Sequence, residues 1–434
     1  MLKRTLTIVL SVMMVILLAA CGANVKTPSS SDANTPTPRV TEAPKPAEET
    51  KPSGEISMWM GSWWEEKIPE IVEWFERDNP GITLTIEALP INGYFDNAVT
   101  AILAGNPPDV IDIDATQVSS FAAQGLLLPL DDVKAKLVIE DIAPGVFSIC
   151  HYDSKAYAIP SRSSSEVWYY NKKLFDEAGV PYPTDDWNYE DMLEIAKKLT
   201  KPEKQQYGVG IAAALSDPLN VMSSFAPMLW AFGGDFMNED YTKCTLDTPE
   251  SIKGIAFWTE LYTKHKVCPE GTVNYTTSKD IIPMFMNNQV AMFASGENGV
   301  SALEQDPNVE WGIVLPPNGV SRAGGWAFIV PVTADNVDAA KQLILWWQDP
   351  EIMQYISVRM PPNRNAFNVA PWNAPHYEYF KQSSMLARTL PTFGKWSEAQ
   401  NIVITELQNI LEGRKTPEQG AKDMTRQIDA LIQQ

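Results

Sequence analysis

The run from Gly54 to Pro90, GEISMWMGSWWEEKIPEIVEWFERDNPGITLTIEALP, constrains the fold more than any other stretch. Ile56, Met58 and Met60 alternate with less apolar neighbours, as in a buried strand. Trp64, Ile68, Ile71, Val72 and Phe75 then recur at helical spacing. Asp78-Asn79-Pro80-Gly81 stops the helix, and Ile82, Leu84 and Ile86 alternate again. The pattern predicts a β-α-β unit with parallel strands and a right-handed crossover. Ligands of open parallel sheets bind outside the carboxyl ends of strands. Ser62, Trp63 and Trp64 follow the first strand at such an end.

The same alternation runs along the rest of the chain. Helices are expected over Tyr94–Ala104, 171–178 (stopped by Gly179), 188–200 with Asn188 as N-cap, 248–263 and Ala339–Trp347. Two more are expected after Trp396, joined near Gly413. Strands are expected at DVIDID (109–114), at 157–160, at 167–170, within 289–295 and after Gly324-Gly325-Trp326. Pro227–Gly234, which carries Trp230, reads only as a mixed apolar and glycine segment. The class is α/β.

The chain opens differently. Lys3 and Arg4 precede an apolar stretch, Thr5–Leu18, too short to cross a bilayer comfortably. Leu18-Ala19-Ala20-Cys21 follows and resembles a bacterial lipobox. That resemblance implies a signal peptide over 1–20, cleavage before Cys21, and a lipid on its sulfur; two acyl chains suffice for stable anchoring. Residues 21–53 hold the lipidated cysteine and a Pro/Ser/Thr-rich tether with no aromatic residue and nothing to build a core.

The formal net charge of −20 argues against nucleic acid and anionic membrane surfaces as partners. The four cysteines lack Cys-x-x-Cys spacing, and the three histidines are scattered, so neither a metal site nor a cofactor is expected. Cys244 and Cys268 could form a disulfide in an exported protein, or remain two buried thiols.

Several segments are similar to family-1 extracellular solute-binding proteins: DVIDIDATQVSSFAAQGLLLPLDD, VWYYNKKLFDEAGVPYPTDDWNYEDMLEIAKKLT, VAMFASGENG, AGGWAFIVPVT and PPNRNAF, in that order. The resemblance spans 54–434 and implies a maltose-binding-protein-like fold of the type II class. Two α/β lobes, each with a mixed, mostly parallel sheet, flank a ligand cleft. Three crossings are expected near Ser161–Ser165, Arg322–Gly325 and Lys381–Pro391. They make the lobes discontinuous: 54–162 plus 326–380, and 163–325 plus 381–434. With the lipobox, the resemblance implies a protein lipid-anchored outside a bacterial cytoplasmic membrane, and a monomer is the default expectation. It would deliver a carbohydrate, an oligosaccharide by expectation, to the permease subunits of an ABC importer.

Sugars offer flat C–H faces to indoles and hydroxyls to Asp, Glu, Asn and Arg. Candidate ligand contacts are Trp63, Trp64, Asp114, Glu166, Trp230, Glu297, Trp326, Arg364 and Trp396. Trp326, after the Gly-Gly crossing, is the leading aromatic, and most of the others have a structural alternative. Trp64 also lies on the helix stripe, Asp114 could cap the following turn, and Trp230 could be core. Glu166 could be solvated on a crossing. Arg364 and Trp396 rest on the resemblance alone. Glu297 stands where the family often has an aromatic residue.

Two other functions stay open at this stage. An exported glycoside-active enzyme would also use an aromatic cleft, but would need two carboxylates about 5–10 Å apart. The same fold could instead bind a glycerol phosphodiester, a polyamine or a metal chelate.

Overall fold

The computed structural model describes residues 52–91 and 93–433. The leader, Cys21 and all but the end of the tether lie outside the described residues. The strands, in chain order, are β1 (Gly54–Gly61), β2 (Ile82–Leu89), β3 (Val110–Asp114), β4 (His151–Tyr152) and β5 (Lys155–Ala156). Then come β6 (Ile159–Ser165), β7 (Val167–Asn171), β8 (Met292–Ser295), β9 (Trp311–Val314), β10 (Ser321–Ile329) and β11 (Ala387–Arg388).

The opening unit forms as its pattern requires. β1 and β2 pair in parallel from Gly54↔Ile82 to Gly61↔Leu89, joined by the Ile68–Asp78 helix. Ile71 and Phe75 on that helix are fully buried with Ile56, Met58 and Met60 from β1. The sheet has the order β11-β10-β3-β1-β2, with β6 on the other side of β10. β1, β2 and β3 are mutually parallel, whereas β10 runs antiparallel to both β3 and β6. Apolar clusters cover both faces, so side chains of both parities on these strands are buried.

β6 leads into β7 with only Glu166 between them. β7 is the centre of a second sheet, β8-β7-β9, antiparallel to both neighbours. The mostly parallel sheet expected of the second lobe is therefore not what these strands form; parallel pairing there is confined to single bridges at Tyr207–Val290 and Gly210–Phe293. Helices Tyr189–Leu199, Pro218–Ala231, Pro249–Thr263, Trp396–Leu411 and Pro417–Ile432 build the larger core around it. Asn188 and Asp191 form a capping box at the first of these.

One departure from expectation has a clear cause. Pro218–Ala231 is one continuous helix despite Pro227 inside it. Nearly every residue from Val221 to Trp230 is buried, so it has no polar face and no helical periodicity to read. Trp372, Tyr377 and Phe380, expected in the first lobe, pack with Val167, Tyr169, Phe285 and Phe293.

The segments between the sheets are tied into one knot. β6 and β10 pair through Ser165↔Ala323, Ser164↔Gly324 and Ser163↔Gly325. β11 joins β10 at Ser321↔Ala387. Ser321 Oγ donates to the Glu166 carbonyl at 3.1 Å, as does Ser383 Oγ at 2.5 Å. Gly325 has φ +149°, and a Cβ there would run into the Arg162 carbonyl and Val146, so only glycine fits. No described helix is long and apolar enough to cross a membrane.

Candidate ligand-binding cleft

The site is assembled by strand register. Trp326 on β10 pairs with Asp114 on β3 and with Arg162 on β6. Three residues far apart in the chain thus become neighbours in one row of the sheet. A register shift follows between Trp326 and Ala327, and both residues pack in the same apolar cluster, as a bulge allows. Trp63 reaches the row from a turn, Ser62–Trp64, at the end of β1. Its indole lies back over Gly61, where a Cβ would collide with the ring.

The Trp63 and Trp326 rings meet edge to face, with centroids 4.6 Å apart, and Phe95 lies 5.9 Å from Trp326. The Arg162 guanidinium sits 5.2 Å from the Trp63 centroid and 5.0 Å from that of Trp326. These groups border a cavity of about 460 Å³. It is completed by Asp114, Glu166, Arg322 and Arg359, by Leu219, Asn220 and Ser278, and by the Gly296–Asn298 loop after β8. That loop is held by Tyr169, whose hydroxyl donates to the Gly296 carbonyl at 2.7 Å, and by Ser295 Oγ, which donates to Asn298 Oδ1 at 3.1 Å.

The charges in the cavity are arranged in distinct ways. Arg322 donates to Glu166 Oε1 at 2.8 Å and to Ser223 Oγ at 3.2 Å, and Ser223 Oγ donates to the same carboxylate oxygen at 2.8 Å. Glu166 Oε2 is buried without a partner. Arg162 approaches Glu297 Oε1 only to 3.9 Å, and its Nε is buried and unpaired. Burial pulls the Arg162 guanidinium below its ordinary value, while Glu297 pushes it back up. Asp114 Oδ1 accepts from Thr116 N at 2.9 Å and Thr116 Oγ1 at 2.6 Å, so it both caps the next turn and faces the cavity. Asp112, two residues earlier, is fully buried; burial pushes its carboxyl up to about 7, against a 2.5 Å hydrogen bond from Ser161.

Of the sequence candidates, Trp63, Asp114, Glu166, Glu297 and Trp326 come together here, and four do not. Trp64 is fully buried under its own helix, edge-on to Trp347 at 5.4 Å. Trp230 points away, its Nε1 donating to Asp235 at 3.1 Å and Arg388 lying over its ring at 4.9 Å. Trp396 is buried against Phe236 at the start of its helix. Arg364 pairs with Asp141 at 3.3 Å and borders a different cavity. Cys244 and Cys268 are free buried thiols, not a disulfide; Cys244 Sγ lies 3.7 Å from Thr425 Oγ1. Arg162, Arg322, Arg359 and Phe95 went unnoticed in the sequence. The one available signal was position: Arg162 and Arg322 fall in two of the three crossings already marked.

This geometry agrees with what the chain is similar to. A Brucella abortus protein, named as a binding protein with no ligand stated, is 24% identical over 88% of this chain and 94% of its own length. The maltotriose-binding protein of Pyrococcus abyssi is 25% identical over 70% of this chain and 65% of its own length. A Listeria monocytogenes ABC substrate-binding protein solved with cycloalternan superposes with a TM-score of 0.76. It is 24% identical, covering 88% of this chain and 99% of that one. Folds of this two-lobed type II kind carry the cleft between lobes, where the cavity is found here. Residues 70–378 match the model for a bacterial extracellular solute-binding protein, and the chain belongs to that family.

Proposed function

We propose that the protein captures a carbohydrate, an oligosaccharide, in this cleft and delivers it to the permease subunits of an ABC importer. One observation carries the reading: an aromatic wall of Trp63, Trp326 and Phe95 shares one cavity of about 460 Å³ with polar side chains of the other lobe, Glu297, Asn298 and Asn220. Indoles suit sugar C–H faces, and carboxylates and amides suit hydroxyl pairs. The volume, about 460 Å³, falls within the range of small-molecule sites, about 300–1,000 Å³. The maltotriose and cycloalternan proteins support the same ligand class. Contacts from both lobes favour the closed arrangement over the open one, so ligand drives closure. We divide the lobes as 54–162 plus 326–366, and 163–325 plus 367–434, moving the last boundary to follow the packing of Trp372, Tyr377 and Phe380.

Binding without reaction is the favoured mode. Each carboxylate in the cleft is engaged by a neighbour: Asp114 by Thr116, Glu166 by Arg322 and Ser223, Glu297 by Arg162. Asp112, whose proton affinity is raised, is buried and does not border the cavity. The protein acts as a monomer, lipid-anchored through Cys21 on the outer face of the cytoplasmic membrane.

A thermal-shift screen over mono- and oligosaccharides tests the function, because a ligand of the native state raises the melting temperature by mass action. Absence of any saccharide response refutes carbohydrate capture, and released sugar on prolonged incubation refutes the non-enzymatic reading. Cys21→Ala should shift the protein from the membrane fraction to the soluble one; retained anchoring refutes the lipid attachment.

A further inference from the structure

We propose that the cleft takes an anionic carbohydrate, with a ring carboxylate of the ligand, as in a uronic acid, seated on the Arg359 guanidinium. The proposal rests on the carbohydrate reading above and narrows it.

Three guanidiniums border one cavity in a chain whose formal net charge is −20. Two are matched. Arg322 is locked to Glu166 at 2.8 Å, and Arg162 has Glu297 at 3.9 Å. Among the described residues no ion pair involves Arg359. Its place is nonetheless fixed. Ser163 N donates to the Met360 carbonyl at 2.8 Å, and Ser163 Oγ donates to the Pro361 carbonyl at 3.0 Å. These bonds hold the backbone beside Arg359 against β6, next to Arg162. The two guanidiniums lie near enough to oppose one another's charge.

Two like charges held together in a partly desolvated cleft oppose each other; Glu297, Asp112 and Asp114 offset this at Arg162, and an anion on Arg359 would do so there. The third carboxylate on the wall, Asp114, is engaged by Thr116 and makes no ion pair, so Arg359 is the one guanidinium of the cavity without a direct carboxylate partner and can receive one negative charge. A carboxylate has that charge and the planar, two-oxygen geometry that Arg receives bidentately. A phosphate dianion would need a second free cation. Asp114 and Asn298, also on the cavity wall, are suited to the hydroxyls of the same sugar and not to its charge.

The test is calorimetric titration of the wild-type protein, Arg359→Met and Arg359→Lys. The probes are di- and trimers of galacturonate, glucuronate and mannuronate, their neutral counterparts, and sulfated disaccharides. At least one uronide should bind the wild type roughly 10- to 100-fold tighter than its neutral counterpart, the worth of one charge-assisted pair. That ratio should fall with added salt. It should approach one in Arg359→Met and be intermediate in Arg359→Lys, which keeps the charge and loses the fork. If Arg359→Met fails to melt cooperatively, the lysine variant and the salt dependence carry the test. Tighter binding of neutral sugars by the wild type overturns the proposal and leaves carbohydrate capture standing. Preference for sulfated sugars overturns the carboxylate assignment. No binding of any saccharide removes the underlying reading, and this one with it.

Discussion

Two arginines on adjacent paired strands, Arg322 and Arg162, show how one residue type serves different ends. Arg322 is 2% exposed, and its guanidinium is held by Glu166, Ser223 and the Ala323 carbonyl. Arg162 stands four register positions along the same strand pair and rests on two indoles, with its carboxylate partner at the limit of contact. The first is a short, multiply bonded pair where the chain crosses between sheets. The second is held mainly by packing, with hydrogen-bonding capacity left over. Burial alone does not separate scaffold from site here; the number of donors already committed does.

The comparison breaks most visibly at Arg322. Arg322→Met leaves Glu166 buried without a counter-charge and should cost about 3–5 kcal/mol in urea unfolding. Adding Glu166→Gln should recover much of that loss. A loss under 1 kcal/mol in the single variant would mean that the pair is not the lock described.

A smaller effect, of up to a few kcal/mol, is expected at Asp112. Its folded carboxyl is raised to about 7 by burial, above an unfolded value near 3.9. The folded state therefore binds the proton more tightly. The resulting stability is fully present below the unfolded value and is lost as pH rises through about 7. Asp112→Asn should flatten this part of the wild-type profile between pH 4 and 7. An unchanged slope would show that Asp112 does not contribute.

Arg162→Met should cost less stability than Arg322→Met, since a partly buried cation–π contact is worth about 0.5–2 kcal/mol. It should weaken binding of whichever saccharide the thermal screen selects. Equal destabilisation in the two methionine variants would erase the distinction between them. The smallest effect belongs to Trp230→Phe. This indole points at Asp235 and Arg388, so ligand affinity by calorimetry should be unchanged. A tenfold loss would return Trp230 to the site.

Much of the fold was legible because its signals are local. The opening β-α-β unit, the Asn188 cap and the left-handed Gly179 stop follow from periodicity and end chemistry within a few residues. The Pro218–Ala231 helix escaped because complete burial leaves no polar face and an interior proline suggests a break. The site was half legible. Trp63, Asp114 and Trp326 follow strand ends or crossings, where position itself predicts exposure to a cleft. Trp230 and Trp396 have the right chemistry, but packing against Phe236 turned them inward. Arg364, the basic residue of the 361–367 segment, joins Asp141, while Arg359 just before it borders the cleft cavity.

The sequence alone determined the alternation of strands and helices, the parallel start of the first sheet, and an aromatic turn at a strand end. These are settled by contacts between residues close in the chain. Only the tertiary structure decided which aromatic rings and which charges meet. The row Asp114–Trp326–Arg162 depends on β10 threading between β3 and β6, and on a one-residue register shift beside Trp326. A register is chosen by the packing of whole sheets, so no single segment carries it.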